Sequence, residues 1–364
     1  MGIHISLATP ADDASIRGLL RREPLPGRIA ISYEREPDFS IVCDATGENT
    51  TVLVAADVET GATVGVACRS EREVFVNSAP MRLGYLGQLR IDSRYRGRWL
   101  VSRGYSLLKR LHDRDPLPGY LAAVTTGNRE ADGILVEKPR KFFPAFHPIA
   151  DYDTLALSVR RSVCASGIAS ATPDDIPEIA GFLRTEGPRR QFFPVWTEAR
   201  LIALISRLGL RIEDVQIARR NGSIAGLMGL WDQSAYKQTV VRSYSGWLRL
   251  AAPLYNAGAP WLQRRPLPKP GEKIRNGYAA FVCIAHDDAT VFGDLLTATL
   301  QRAATRGLDY LLLGLDARDP LLAAAHARPH ILYRSRLYLA EWPEGGHLHA
   351  QLDRRPTYVE IATL

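Results

Sequence analysis

The chain has 364 residues, 46% of them hydrophobic and 23% charged, with a formal net charge of +7 and a pI of about 9.3. That length can bury two cores, and the apolar-to-charged balance excludes a disordered or fibrous chain. No apolar run reaches the roughly 18 residues a membrane-spanning helix needs. The four cysteines, Cys43, Cys68, Cys164 and Cys283, are scattered through apolar stretches without a CxxC pair, which excludes a disulfide framework or a cysteine-rich zinc module.

In chain order, residues 3–8 alternate as a strand, and Pro10-Ala11-Asp12-Asp13 opens a short helix to about Arg22. Residues 51–57 and 63–69 are β-rich and flank Glu59-Thr60-Gly61-Ala62, a hairpin signature, with a short edge strand expected at 74–77. A longer strand follows at 82–91. An Arg-rich turn then leads into an amphipathic helix at 99–114, a buried strand at 120–124, a short helix at 129–136 and a closing strand at 153–159.

The pattern then restarts. Ile168-Ala169-Ser170-Ala171-Thr172-Pro173-Asp174-Asp175 parallels Ile5-Ser6-Leu7-Ala8-Thr9-Pro10-Ala11-Asp12-Asp13, and a helix (176–185), a hairpin about Asn221-Gly222, a strand (277–285), a helix (289–306) and a strand (310–315) follow in the same order. An internal duplication accounts for this and places domains at 1–163 and 164–364. Residues 232–276 interrupt the second copy. They are rich in Tyr, Trp, Pro and Gly and carry eight basic residues against Asp232 and Glu272. Such an insertion is expected to pack as loops or helices over a site or an interface. Residues 240–254 read equally as a helix or a strand pair.

The segment with the most chemical content is 81–114. A strand that feeds a helix through a turn bearing Arg94, Arg96 and Arg98 points free helix N–H groups into a cleft, and these suit a diphosphate. In the second copy, Asp287 and Asp288 stand where the first has arginines; they would cap the helix and repel such a ligand. Asp92 reads as a turn or cap residue, and Gln88 as a strand-face polar residue or one that orients an acceptor. His147, in FFPAFHPIA, reads as a packed loop residue. His112 falls near its helix's C-terminal end, where a cation is favourable. His326 and His330 are separated by Pro329, and His347-x-His349 lacks Cys or acidic neighbours, so no metal is expected.

With these elements in place, the chain resembles the GNAT superfamily of acyl-CoA-dependent N-acyltransferases, over most of 3–160 and more faintly over 168–340. The resemblance implies an α/β (α+β) fold of two tandem GNAT-like domains, each a mixed, mostly antiparallel twisted sheet flanked by helices, the second a degenerate copy. It implies that Leu89, Arg90 and Ile91 line the pantetheine arm, that Arg96, Gly97, Arg98, Trp99 and Leu100 cradle the phosphates, and that Asn128 is the family's Asn after the next strand. The family turn carries two small residues where this chain has Trp99 and Val101, and the family's Tyr after that Asn is replaced by the run Ile134, Leu135, Val136. Tyr85 and Tyr152 are the nearby phenols and read as packing residues. No catalytic residue is assigned.

The implied activity is N-acyl transfer, with acetyl-CoA or another acyl-CoA as co-substrate, to a primary amine of a small molecule or peptide. The alternatives are a non-catalytic CoA-binding regulatory or scaffolding protein, a long-chain N-acyl amino acid synthase and a nucleic-acid-binding protein. The start MGIHISLATP carries no signal-peptide pattern, so a cytoplasmic protein without a membrane partner is expected, with oligomeric state left open.

Overall fold

The structure, a computed structural model, describes residues 2–97, 99–128, 133, 142–160, 167–258, 261 and 266–364. The expected helix at 129–136, apart from Gly133, lies outside the described residues, as do Arg98 and Cys164.

The first half runs β1 (Ile3–Leu7), α1 (Asp13–Arg22), β2 (Ile29–Glu34), α2 (Phe39–Thr46), β3 (Glu48–Asp57), β4 (Thr63–Val76), β5 (Ala79–Ile91), α3 (Leu100–Arg114), β6 (Tyr120–Thr125) and β7 (Ala145–Ser158). The second runs β8 (Ile168–Ser170), α4 (Ile176–Glu186), α5 (Glu198–Arg207), β9 (Val215–Arg220), β10 (Ser223–Trp231), β11 (Gln238–Tyr244), α6 (Trp247–Gly258), β12 (Lys273–Ile274), β13 (Asn276–Ile284), α7 (Ala289–Thr305), β14 (Tyr310–Asp316), α8 (Leu322–His326), β15 (His330–Glu341) and α9 (Leu348–Gln351). The repeated opening is physically identical in the two halves. Thr9 and Thr172 both sit in extended backbone and form capping boxes with Asp12 and Asp175. Each uses its threonine N–H and hydroxyl on one carboxylate oxygen, at 2.7 and 2.9 Å in the first half and 2.8 and 2.8 Å in the second.

One 12-stranded sheet carries both halves, in the order β1-β3-β4-β5-β6-β15-β7-β14-β13-β10-β9-β8. It is parallel at β5–β6 and at β13–β14 and antiparallel at its other described junctions. The halves exchange their last strands: β15 covers β6, and β7 covers β14. One hydrophobic cluster accordingly runs from Val42, Leu83 and Leu155 to Trp196, Phe281 and Leu295. No helix among the described residues is long and apolar enough to cross a membrane.

Several elements differ from the sequence reading. The expected edge strand at 74–77 is the end of β4, a continuous 14-residue strand. The strand expected at 153–159 begins at Ala145, so His147 lies on a strand rather than a loop. Residues 29–34 and 39–46, unassigned in the sequence, form β2 and α2. In the insertion, 240–254 divides into a strand and a helix. β11 pairs with β12 and, across the halves, with β2, from Gln238↔Glu34 to Tyr244↔Ile29, giving a separate three-stranded sheet.

Candidate functional site

The site begins where β5 leaves β6. Their parallel register covers Gly84↔Tyr120, Tyr85↔Leu121 and Leu86↔Ala122 and goes no further. Gly84 permits that approach, because a Cβ there would lie 2.0 Å from the Tyr120 ring. Beyond Leu86 the register of β5 with β4 also shifts, between Val66 and Cys68. At this bulge Gln88 adopts φ 57°, and its Oε1 accepts from Arg35 Nη2 at 3.3 Å. Leu89 is 40% exposed at the mouth of the opening, and Arg90 and Ile91 are half-buried beside it.

The turn after Ile91 is held from beneath. Asp92, 2% exposed, accepts from Arg94 N, Nε and Nη2 at 3.0, 2.9 and 2.8 Å, and Arg94 holds its carboxyl below the usual carboxylate range. Asp92 is thus a cap, and Arg94 is committed to it. Tyr95 Oη donates to Asp57 Oδ2 at 2.7 Å. Glu23 accepts from Ser93 N at 3.0 Å and stands 3.5 Å from Arg96 Nη2. Gly97 follows at φ 75°, with open space where a Cβ would be, and Trp99 takes the left-handed conformation with its side chain outward, 70% exposed. The α3 helix therefore begins at Leu100 rather than Trp99. It has no side-chain cap and no acid in its first turn. Its first N–H groups and positive dipole end thus face outward beside Arg96, an arrangement suited to an anion. Asn128 is exposed in the turn after β6, its N–H donating to Thr125 O at 3.1 Å. Because β5 and β6 are parallel, it stands at the same end of the sheet as Ile91.

No protein-family model matches this sequence, and no curated protein matches it. Solved structures do. Saccharomyces cerevisiae N-myristoyltransferase with bound myristoyl-CoA superposes with a TM-score of 0.63 at 10% identity, over 93% of this chain and 82% of that one. A GCN5-related N-acetyltransferase from Sphaerobacter thermophilus gives 0.55 at 13%, over 100% and 98%. The GCN5-related glucosamine N-acetyltransferase region of a fungal multi-domain β-N-acetylglucosaminidase gives 0.61 at 14%, over 93% and 38%. The fold is that of the GNAT superfamily.

The second half repeats the strand divergence and then fills it. β13 pairs with β14 over Asn276↔Tyr310, Gly277↔Leu311 and Tyr278↔Leu312 and then parts from it, and Phe281 at φ 56° occupies the place of Gln88. Here the C-terminal segment enters the gap. Phe281 N donates to Glu360 Oε2 at 2.9 Å, and Val282 N donates to Tyr358 Oη at 3.2 Å. Asp288 caps α7 through Thr290 N and Val291 N at 2.9 and 3.0 Å, while Arg189 and Arg190 pair with Asp287. What remains among Arg190, Cys283, Asp287 and Tyr358 is a cavity of about 20 Å³, room for a water molecule.

Sequence reasoning missed the buried cations between the halves. Arg35 is 2% exposed, and its Nε has no hydrogen-bond partner. Arg72 lies over the Tyr85 ring at 4.5 Å. Lys237 Nζ lies 4.6 Å from the Tyr278 ring centroid and donates to Ala362 O and Leu364 O at 3.2 and 2.9 Å. Burial pushes Arg35 and Lys237 down in pKa, and Arg72 down to about 10. Nothing in YEREPD distinguishes Arg35 from a surface charge, because its burial depends on β11, some 200 residues later. Tyr85 and Tyr152 are packing residues, the latter bonded through its Oη to Val359 O at 3.0 Å. His112 is no surface cation. It is buried against Trp342, with Nδ1 2.9 Å from Tyr120 Oη, and burial lowers its pKa.

Proposed function

We propose that this protein is an acyl-CoA-dependent N-acyltransferase whose single donor site lies in the first half. The observation that carries the reading is the departure of β5 from β6 after Leu86, followed by an uncapped basic turn into α3. In this reading Leu89, Arg90 and Ile91 line the pantetheine arm. Arg96, Gly97, Arg98, Trp99 and Leu100 surround the diphosphate, and Asn128 flanks the opening. The bulged backbone at Gln88–Leu89 supplies N–H groups to polarise the thioester carbonyl. The amine must attack in its neutral form, so that its nitrogen lone pair forms the new amide bond as the C–S bond breaks, and the proton the nitrogen loses passes, directly or through water, to the leaving thiolate; positioning supplies much of the remaining acceleration. The neighbours named for myristoyl and acetyl transfer support acyl-CoA as the donor class, and acetyl-CoA is its simplest member.

The two halves, 1–163 and 164–364, are read as tandem GNAT-like copies. The second carries no donor site, because its own Tyr358, Glu360 and Asp288 occupy the donors that a coenzyme would use. The acceptor, a small-molecule or peptide amine, is placed between the halves, near Gln88 and under the β11 insertion. The test is calorimetric titration with CoA and acetyl-CoA, followed by a thiol-release assay over amines and a series of acyl chain lengths. Binding with turnover supports the reading. Binding without turnover across the whole panel favours a CoA-binding module, for which Trp99 and Val101 in the phosphate turn speak. Absence of binding overturns both.

A further inference from the structure

At the other end of the sheet, three side chains distant in sequence converge. His147 lies on β7, Glu341 is the last residue of β15, and His349 lies on α9. One ligating atom from each falls within 4.8 Å of the other two. His147 Nε2 is 3.6 Å from Glu341 Oε2, and His349 Nδ1 is hydrogen-bonded to that same oxygen. Glu341 is buried, and its other oxygen accepts from His349 N at 3.2 Å. The two imidazoles stack face to face, with centroids 3.4 Å apart and planes 2° from parallel.

We propose that His147, Glu341 and His349 form a structural site for a divalent transition metal, with zinc the best fit. Two imidazoles and a carboxylate are a donor set zinc favours. With metal–ligand bonds of about 2.1 Å, two ligands of a tetrahedral ion lie about 3.4 Å apart. The His147–Glu341 separation is already close to this. Binding requires the His349 ring to give up its hydrogen bond to Glu341 and to tilt out of the stack, so that both ring lone pairs meet at one point. The four-residue α9, preceded by Gly345 and Gly346, leaves room for that movement. Water completes the shell, or His347, whose ring lies 6.1 Å from that of His349.

The position argues for a structural rather than a catalytic ion. β15 is antiparallel to β6, so Ala340 faces Tyr120 while Ser335 faces Thr125 at the end where β5 and β6 diverge. Glu341 is therefore remote from the donor site. It pairs with Ala145 along the seam of exchanged strands, so the ion clips the segment carrying α9 to β7 and β15. The binding of the ion is independent of the acyltransferase reading, on which only its separation from the donor site rests.

The experiment uses tag-free, chelator-treated full-length protein titrated with ZnCl2 and, separately, with CoCl2. One zinc per chain at micromolar affinity or tighter is expected, with a rise in Tm and a tetrahedral Co(II) absorption band. H147N and H349N are each expected to weaken zinc binding tenfold or more and to abolish the Tm rise, with little change in the metal-free Tm. H326N, in the other histidine pair, is expected to bind like the parent. The half-exposed histidines are chosen because a change at buried Glu341 risks misfolding. No zinc binding at millimolar metal, or binding that survives in both H147N and H349N, overturns the proposal.

Discussion

Replacing Gly97 with Asp puts a carboxylate on the turn proposed to hold the diphosphate, at a position where a side chain meets no atom within 4 Å. Gly97→Asn carries the same shape and backbone strain without the charge, so the difference between the two variants isolates electrostatics. At a separation of about 7 Å, two unit charges repel by about 0.6 kcal/mol in water and about 2.4 kcal/mol at an effective dielectric of about 20. For a diphosphate carrying roughly two charges this brackets a penalty of about 1–5 kcal/mol. An exposed turn lies toward the lower part of that range, so about 2 kcal/mol is expected, roughly thirtyfold in Kd. Gly222, at φ 81° and equally open in the β9–β10 hairpin, provides the control. Both glycines have left-handed backbone, so each Asp variant is expected to lose up to about 1 kcal/mol of stability. Only the Gly97 variant should lose CoA affinity. The assay is calorimetric titration with CoA at low and high salt, and the gap between Gly97→Asp and Gly97→Asn should narrow as salt rises. Equal affinities for these two variants at low salt would refute the placement of the diphosphate on this turn.

Three further outcomes follow from the same geometry. CoA is expected to bind with a stoichiometry of one per chain, and two sites in a calorimetric titration would contradict the filled second gap. Asp316 accepts from Arg318 and, at 2.8 Å each, from Thr357 N and Oγ1, and so holds the segment leading to Tyr358 and Glu360. Burial alone would raise its pKa, but the Arg318 and Thr357 hydrogen bonds outweigh it and leave the pKa lowered. Asp316→Asn is therefore expected to cost about 2 kcal/mol near neutral pH. Since the folded pKa is depressed, that contribution is complete above the ordinary carboxylate value and fades as pH falls through the folded one, so denaturant curves of the two proteins should converge in acid. Finally, residues 1–163 expressed alone leave the β6 edge unpaired and β7 without its neighbours, so light scattering should show aggregates or oligomers. Mixing with 164–364 during refolding should rescue a 1:1 complex, and a monodisperse, stable 1–163 monomer would deny the importance of the strand exchange.

What the sequence made legible was local. The strand–turn–helix at 81–114 depends on neighbours in the chain: Gly87 to clear the Tyr85 ring, Asp92 to cap the turn and an uncapped helix start. Of the acids at 287–288, Asp288 likewise caps the helix that follows it, whereas Asp287 is taken up by Arg189 and Arg190 from a distant part of the chain. What stayed hidden was set by distant partners. β2 has little signal of its own because its pairing partner is β11. The sequence predicts only the second half of β7, and Pro148 interrupts the strand pattern in the first. The sheet accommodates it at the point where the β15 register shifts, between Leu337 and Tyr338, and where β7 has not yet met β14.

The same non-locality ties the fold to its chemistry. A duplicated fold with two identical openings would carry two donor sites in competition for the space between them. The C-terminal segment breaks that symmetry. Its Glu360 and Tyr358 satisfy the bulged amides of β13, while β15, a little earlier in the chain, runs beside β6 and completes the sheet of the half that stays open. β11, inserted into the filled half, extends back across to β2 and buries Arg35 next to Gln88. The second half therefore brings β11 against β2 and sets the buried Arg35 beside Gln88, so the two strand divergences are not equivalent: one is filled by the chain's own C-terminal segment and the other is not.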